Sequence, residues 1–313
     1  MNFQTMEYFI ALAEERSFTR AARRLMVTQQ TLSAHIANTE RELGVRLVNR
    51  KVPLTLTYAG EVLLDYARRI ETDRRSMEQE FADISGDEQG LLAVGIASTR
   101  GRLLMPNALA EFHKRKPGVR ILIDEAENEE LVEALREGRT DMAVATFPKN
   151  VPGLEVHLLR TEQIVLLVSW RLLRSLYGEE ARQVSEEVTR KRSLAPLKDC
   201  PFLLLGRHDE PGDLSRRLLM DAGIGNDPAV VSSNSETLME LALRDAGATF
   251  VPCDLAHAML GDGEEDDMCI MNLGPDAHID IHVAWRQSNH VWSVINDFAS
   301  LLIEQVGDAG NEL

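Results

Sequence analysis

The sequence predicts an α+β multi-domain chain: an N-terminal winged helix-turn-helix over 1–58, a long linker helix over 59–89 and a C-terminal two-lobed α/β body over 90–313. Three observations carry this expectation. Two short helical periodicities meet at a tight junction between Ser17 and Arg50. A proline-free stretch with an apolar residue at every seventh position follows, and from Leu91 onward strand-like apolar runs alternate with helices. A length of 313 residues leaves room for a small head and a large partner domain.

In the head, Ala21, Ala22 and Leu25 share one face of a first short helix, and Leu32, Ile36 and Leu43 share one face of a second. Thr28 is placed to cap the second helix and Gly44 to stop it, with Met26 and Val27 as the apolar hinge between the two. Any small helical hairpin produces this spacing. The opposite face of the second helix is more telling, because Gln29, Gln30, Thr31, Ser33, Ala34, His35 and Asn38 are short or amide-bearing rather than the Glu/Lys mixture of an ordinary solvated face. Gln and Asn donate and accept in one plane, as adenine N6 and N7 require. Val45–Val48 and Leu54–Thr57 then read as two short strands around a basic tip. This wing puts Arg50 and Lys51 where phosphate or the minor groove would be met.

Charge is divided accordingly. Residues 1–58 hold 8 Lys and Arg against 5 Asp and Glu, a net of +3, so the −16 of the whole chain leaves −19 for the rest. Only the head suits double-stranded DNA; the body repels phosphate.

These residues resemble the LysR-type transcriptional regulators. The resemblance covers residues 1 to about 66 and rests on Phe9 and Ala13, Ser17-Phe18-Thr19 with Ala21-Ala22, Val27-Thr28-Gln29, Leu32-Ser33, Glu40, Leu43-Gly44, Leu47, Arg50, and Leu56-Thr57 followed by Gly60. Three positions depart from the family pattern: Gln30 replaces a proline, Thr39 a leucine and Val48 a phenylalanine. The last two are core exchanges. Gln30 lies on the reading helix, where proline is a backbone device and glutamine a reader of bases. The resemblance implies a regulator that binds promoter DNA as a homodimer or homotetramer, senses a small-molecule effector and contacts RNA polymerase.

Residues 58–87 read as one helix capped by Thr57. Leu63, Ile70, Met77 and Ile84 recur every seven residues, with Tyr66, Ala67 and Phe81 in a second row, which is a seam for a partner helix. Thirty residues span about 45 Å, too long for a helix that only covers a small head. We therefore expect Leu63, Ile70, Met77, Phe81 and Ile84 to form a dimerisation arm.

Beyond it, Leu91–Ala97, Arg120–Glu125, Asp141–Thr146, Phe202–Leu205, Ala229–Ser232 and Thr249–Val251 read as strands. Leu103–Lys116, Glu129–Glu137, Leu214–Ala222, Thr237–Asp245 and Trp292–Val306 read as helices. This alternation predicts parallel sheets with helical crossovers in two lobes, one over about 90–161 and 268–306, the other over about 162–267. The segment Trp170–Arg192 is helical and longer than the family pattern, and reads as a surface insertion. The body resembles the family's two-lobed effector domain, related in fold to periplasmic binding proteins.

Ligands of such sheets bind beyond the carboxyl ends of the strands. That rule selects Ser98, Thr99, Arg100, Thr146, Phe147, Arg207, Ser233 and Asn234, positions that match the family's inducer cleft. Their chemistry suits an organic or amino acid through charge-assisted hydrogen bonds. Taken singly, each Ser, Thr or Asn at a helix start is an ordinary cap. Glu127 nearby would favour an amine instead.

No HExxH, GxSxG, GxGxxG or P-loop pattern occurs, so no enzyme, metal or cofactor is expected. Cys200, Cys253 and Cys269 lack metal-ligand spacing. A thiol-based redox-sensing regulator is one competing reading, since some members of the family sense peroxide through cysteines; nothing basic clusters near these three. A cytosolic small-molecule binding or receptor protein is another, but leaves the reading helix unexplained. The sequence has no stretch of 18 uncharged apolar residues and no secretory leader, so the expected location is cytoplasmic, with no membrane partner.

Overall fold

The computed structural model describes residues 1–51, 53–86, 89–148, 151–206, 210–225, 227–260 and 264–309; the side chains of 98, 99, 264, 265 and 307–309 lie outside that description. The chain divides into two compact units, one built on residues 1–90 and the other on most of the remainder.

The first unit opens with helices α1 (Phe3–Glu15), α2 (Phe18–Arg24) and α3 (Gln29–Leu43). Each begins on a side-chain cap, because the amides of a first turn have no partner within the helix. Asn2 Oδ1 accepts from the Thr5 amide at 3.0 Å, Ser17 Oγ from Arg20 at 3.4 Å and Thr28 Oγ1 from Thr31 at 3.1 Å. Gly44 closes α3 in the left-handed conformation. Phe9, Leu12, Ala21, Leu32 and Ile36 meet in a core with no exposed surface. Leu43, expected on the same face, is exposed instead, because the last turn of α3 runs past that core. The hinge residue Met26 is almost fully exposed at φ 53°.

The wing is shorter than the sequence suggested: β1 (Val48–Asn49) pairs antiparallel with β2 (Thr55–Leu56). Glu40 fastens it to α3, accepting at Oε1 from the amides of Leu47 at 2.8 Å and Val48 at 3.4 Å. Helix α4 (Tyr58–Ser85) follows, capped by Thr57 as the sequence predicts and ended by Gly86 in the left-handed region. Its first turn lies so close to the wing that a Cβ at Gly60 would stand 2.1 Å from the Leu47 carbonyl oxygen.

The second unit is a mixed α/β body. In chain order its strands are β3 (Gly90–Ile96), β4 (Val119–Glu125), β5 (Met142–Ala145), β6 (Leu154–Ser169), β7 (Phe202–Leu205), β8 (Val230–Ser232), β9 (Ala248–Pro252), β10 (Met268–Asn272) and β11 (His278–Arg286). Its helices are α5 (Ser98–Arg115), α6 (Asn128–Glu137), α7 (Trp170–Tyr177), α8 (Ala181–Lys191), α9 (Glu210–Asp221), α10 (Ser235–Leu243), α11 (Cys253–Met259), α12 (Glu264–Asp267) and α13 (Ser293–Ala309). Strand order is β4-β3-β5-β11-β6-β9-β7-β8, with β10 also on β6. The expected parallel pairs are present, β3 with β5 and β7 with both β8 and β9, with helices in every connection between them.

Two lobes share β6. Its first part, Leu154–Gln163, pairs antiparallel with β11, and Ile164–Ser169 pairs with β9 and β10. The first crossing therefore falls at Gln163–Ile164. Because β10 lies on the second half of β6, the return crossing falls between Asn272 and His278, a few residues beyond the expected place near Met268. Phe112 of α5 meets Phe298 of α13 edge-on at 5.0 Å in one lobe, so the C-terminal helix does complete the first lobe. The segment Trp170–Arg192 forms α7 and α8, two amphipathic helices that each bury one apolar stripe, with Leu173 and Val188 fully buried, and expose the rest. Helix α5 starts five residues before its apolar pattern and tolerates Pro106 within it.

Candidate functional site

On α3 the core residues Leu32, Ile36 and Thr39 take one side, and this decides what the others present. Gln29, Gln30, Thr31, Ala34 and Asn38 are exposed and Ser33 is half-buried. Thr28 is occupied at the helix start, with its hydroxyl 2.8 Å from that of Thr31, and Asn38 accepts from Arg41. His35 is a correction. It turns inward, with Nε2 2.9 Å from Thr5 Oγ1 and its ring edge-on to Tyr8 at 5.0 Å, so it braces α3 on α1. The sequence placed it among readers because it flanks the amides; helical phase puts it beside Ile36. Lys51 is exposed.

Arg50 leans back from the wing onto Ser33 of α3. Its guanidinium lies 5.4 Å from the Phe18 ring centroid, 3.4 Å from Ser33 Oγ and 3.5 Å from Glu40 Oε2. One cation is thus held beside the exposed amides, still half-exposed and able to meet phosphate. Arg23 and Arg46 are exposed on the same unit, and only the charge count pointed to them.

On α4 the first half of the seven-residue seam is not free. Leu63 is buried and Ile70 is packed on the head core, whereas Met77, Phe81 and Ile84 are exposed. A straight helix drifts by about 20° per heptad, which turns such a seam from the head toward solvent along its length. Tyr58, Val62 and Tyr66 extend the exposed apolar stripe.

In the second unit the expected cleft residues divide sharply. The Arg207 position and the side chains of Ser98 and Thr99 lie outside the described residues. Thr146 and Ser233 stand at strand ends, the first buried and the second exposed. Asn234 is the cap of α10, accepting from the Thr237 amide at 3.0 Å. Phe147 is a core residue, packed with Leu131, Leu135 and Ala145, because an aromatic ring at a strand end is driven under the adjacent helix. Arg100 is also a correction: it is buried against Glu162, with Nη2 3.4 Å from Oε2, and is not held open for a ligand. Burial raises the Glu162 carboxyl above the ordinary range, against the pull of Arg100 and Arg160. Nothing in the local sequence marks Glu162, which reaches Arg100 only because β6 runs beneath the start of α5. Arg102 reaches Glu236 of the other lobe at 3.4 Å, and Leu103 packs on that lobe's core.

The thiols are poorly suited to redox chemistry. Burial pushes Cys200 up to about 12 and Cys269 up to about 11, and raises Cys253 as well. The nucleophile is the thiolate, so all three should resist iodoacetamide at pH 8 in the folded chain and react on unfolding. Rapid labelling of the native protein, measured by mass spectrometry, would contradict this. Among the described residues no group of three or more His, Cys, Asp or Glu is placed to hold a metal, and no helix is long and apolar enough to cross a membrane.

Comparison with known proteins adds to this geometry. The family "Bacterial regulatory helix-turn-helix protein, lysR family" matches residues 3–61, and "LysR substrate binding domain" matches residues 85–307. Similar proteins include the HTH-type transcriptional regulator EstR of Acinetobacter baylyi, 30% identical over 255 residues, covering 80% of this chain and 79% of that one. The hydrogen peroxide-inducible genes activator of Haemophilus influenzae is 30% identical over 258 residues, covering 80% of each. Full-length CbnR, solved in complex with its target DNA, superposes with a TM-score of 0.67 at 26% identity, covering 98% of this chain and 100% of that one.

Proposed function

The chain belongs to the LysR family of bacterial transcriptional regulators, DNA-binding proteins with an effector-binding domain, and from that premise we propose that it reads its promoter through the exposed face of α3. Gln29, Gln30, Thr31, Ser33 and Asn38 meet base edges, while Thr28 fixes the helix start and Arg50 and Lys51 meet the backbone. The observation that supports this most is the presence, on one helix, of exposed amides and of a cation held at Ser33 by Phe18 and Glu40. Gln30 is the position at which the preferred sequence differs from that of relatives with proline there.

Homodimers form along the exposed stripe of α4, Tyr58, Val62, Tyr66, Met77, Phe81 and Ile84, and pair into tetramers that place reading helices on successive major grooves. A small effector enters the cleft between the lobes near Ser98, Thr99, Thr146 and Ser233. Its differential affinity for two subunit arrangements changes DNA bending and contact with RNA polymerase. The protein acts in the cytoplasm, and its role is regulatory rather than enzymatic. A peroxide-responsive role, of the kind the Haemophilus relative is named for, is not favoured by three thiols held protonated.

Binding to the DNA upstream of its own gene tests the reader. Gln30→Ala relaxes sequence choice by about 1–3 kcal/mol at one base pair, while Arg50→Ala weakens all sites and lowers the salt slope by about 1. His35→Ala lowers the stability of the head and leaves sequence choice as it is. Unchanged DNA binding in both of the first two variants would remove the assignment.

A further inference from the structure

A carboxylate is buried at the point where β6 passes from one lobe to the other. Glu162 is 3% exposed and pairs with Ile279 just before the crossing. Arg100, in the first turn of α5, is 4% exposed and lies against it. On the other side Arg160 Nε is 3.9 Å from Glu162 Oε1, and Arg160 also pairs with Asp254 at the start of α11. The register of β6 on β11 slips between Ile281 and His282, leaving Leu159 as an extra residue immediately before Arg160. Such a bulge re-aims the side chain beside it.

Among the described residues this cluster is neutral: two arginines, one glutamate and one aspartate. The Arg100 contact is close but poorly aligned. Arg100 Nε and Glu162 Oε2 are both fully buried and without a hydrogen-bond partner among the described residues. Buried groups of this kind are normally satisfied. A bare anion brought to Arg100 would stand next to the Glu162 carboxylate in a low-dielectric site, with no net positive charge to hold it.

We propose that Glu162 is an internal counter-anion that fills the anion-binding capacity of Arg100, so that the cleft of this chain excludes a bare carboxylate at this position. An effector of this chain is therefore not anchored through a carboxylate on Arg100. This narrows the effector class and rests on the reading of the cleft as the effector site. The ion pair itself is testable without an effector, so an effector found to bind elsewhere would leave the outcome below unaffected.

Acetate is the probe, replacing chloride at constant ionic strength, with the unfolding midpoint of the full-length chain followed by tryptophan fluorescence. Only binding to the native state raises that midpoint. The wild-type midpoint is expected to be indifferent to acetate. Glu162→Gln, isosteric and uncharged, gains a saturable rise that corresponds to acetate affinity about tenfold or more above wild type, and combining it with Arg100→Gln abolishes the gain. Glu162→Ser serves the same purpose if the glutamine variant does not accumulate as folded protein. A saturable rise in the wild type that Arg100→Gln removes overturns the proposal. So does the absence of any gain in the Glu162 variants, or a gain that survives loss of Arg100.

Discussion

Gly60→Ala unfolds the head and leaves the C-terminal body intact. In an ordinary helix this exchange stabilises by about 1 kcal/mol, because alanine has less backbone freedom to lose. Here the sign reverses. The new Cβ would stand 2.1 Å from the Leu47 carbonyl oxygen, 3.1 Å from its carbonyl carbon and 3.3 Å from Leu56 Cβ. The nearest atom is backbone and cannot rotate away, and that same carbonyl accepts from the Thr57 amide at 3.0 Å. Relief requires parting α4 from the wing, which also disturbs Leu47 and Val48 in the head core. We expect a loss of about 3 kcal/mol or more, at the upper end for overpacking. Trp170 and Trp285 lie in the second unit, so the unfolding transition they report keeps its midpoint; Trp292 belongs to the first unit and does not report on the body. Amide exchange in α1 to α3 rises sharply and promoter binding is lost. Wild-type exchange rates in the head of this variant would show that the close approach does not matter.

Arg100→Leu destabilises the body by about 3 kcal/mol at pH 8, because it leaves Glu162 buried without its nearest counter-charge. The double variant Arg100→Leu, Glu162→Leu recovers most of that loss, since removing both partners also removes the cost of burying them. The pH dependence has a definite sign. The folded Glu162 carboxyl is already raised, so between the unfolded value of about 4.3 and its own value the native state binds the extra proton, and stability falls as pH rises through that window. Loss of Arg100 raises the carboxyl further. The deficit of Arg100→Leu relative to wild type therefore shrinks as pH is lowered from 8 toward 5. The tryptophan unfolding midpoint across that range measures it, and a deficit independent of pH would rule out Glu162 as the cause.

Much of the fold was legible because it rests on local signals. Thr28 and Thr57 cap the helices that their positions announced, Gly44 and Gly86 end them, and Phe202–Leu205 is a strand to the residue. The misjudged features depend on neighbours distant in sequence. Leu43 has the right phase and no partner above it; Leu63 and Ile70 have the spacing of a free seam and lie on the head core. Met268 begins a strand that belongs to the second lobe because its partners are Ser169 to Val165, a fact no local pattern carries.

The same division runs through the candidate site. The amides of α3 were readable because a polar face of unusual composition is a property of the chain itself. His35 was not, since its role comes from Thr5 and Tyr8, 30 and 27 positions away. The family, through the motif residues that resemble it, and the order of domains were thus legible in the sequence alone, as was the exposed polar face of α3, through periodicity and composition. Tertiary structure alone decided that Gly60 must lack a side chain, that the α4 stripe is Tyr58 to Ile84 rather than Leu63 to Ile84, and that Arg100 is already neutralised by Glu162. Each of these is a distance between residues far apart along the chain, and only packing sets such distances.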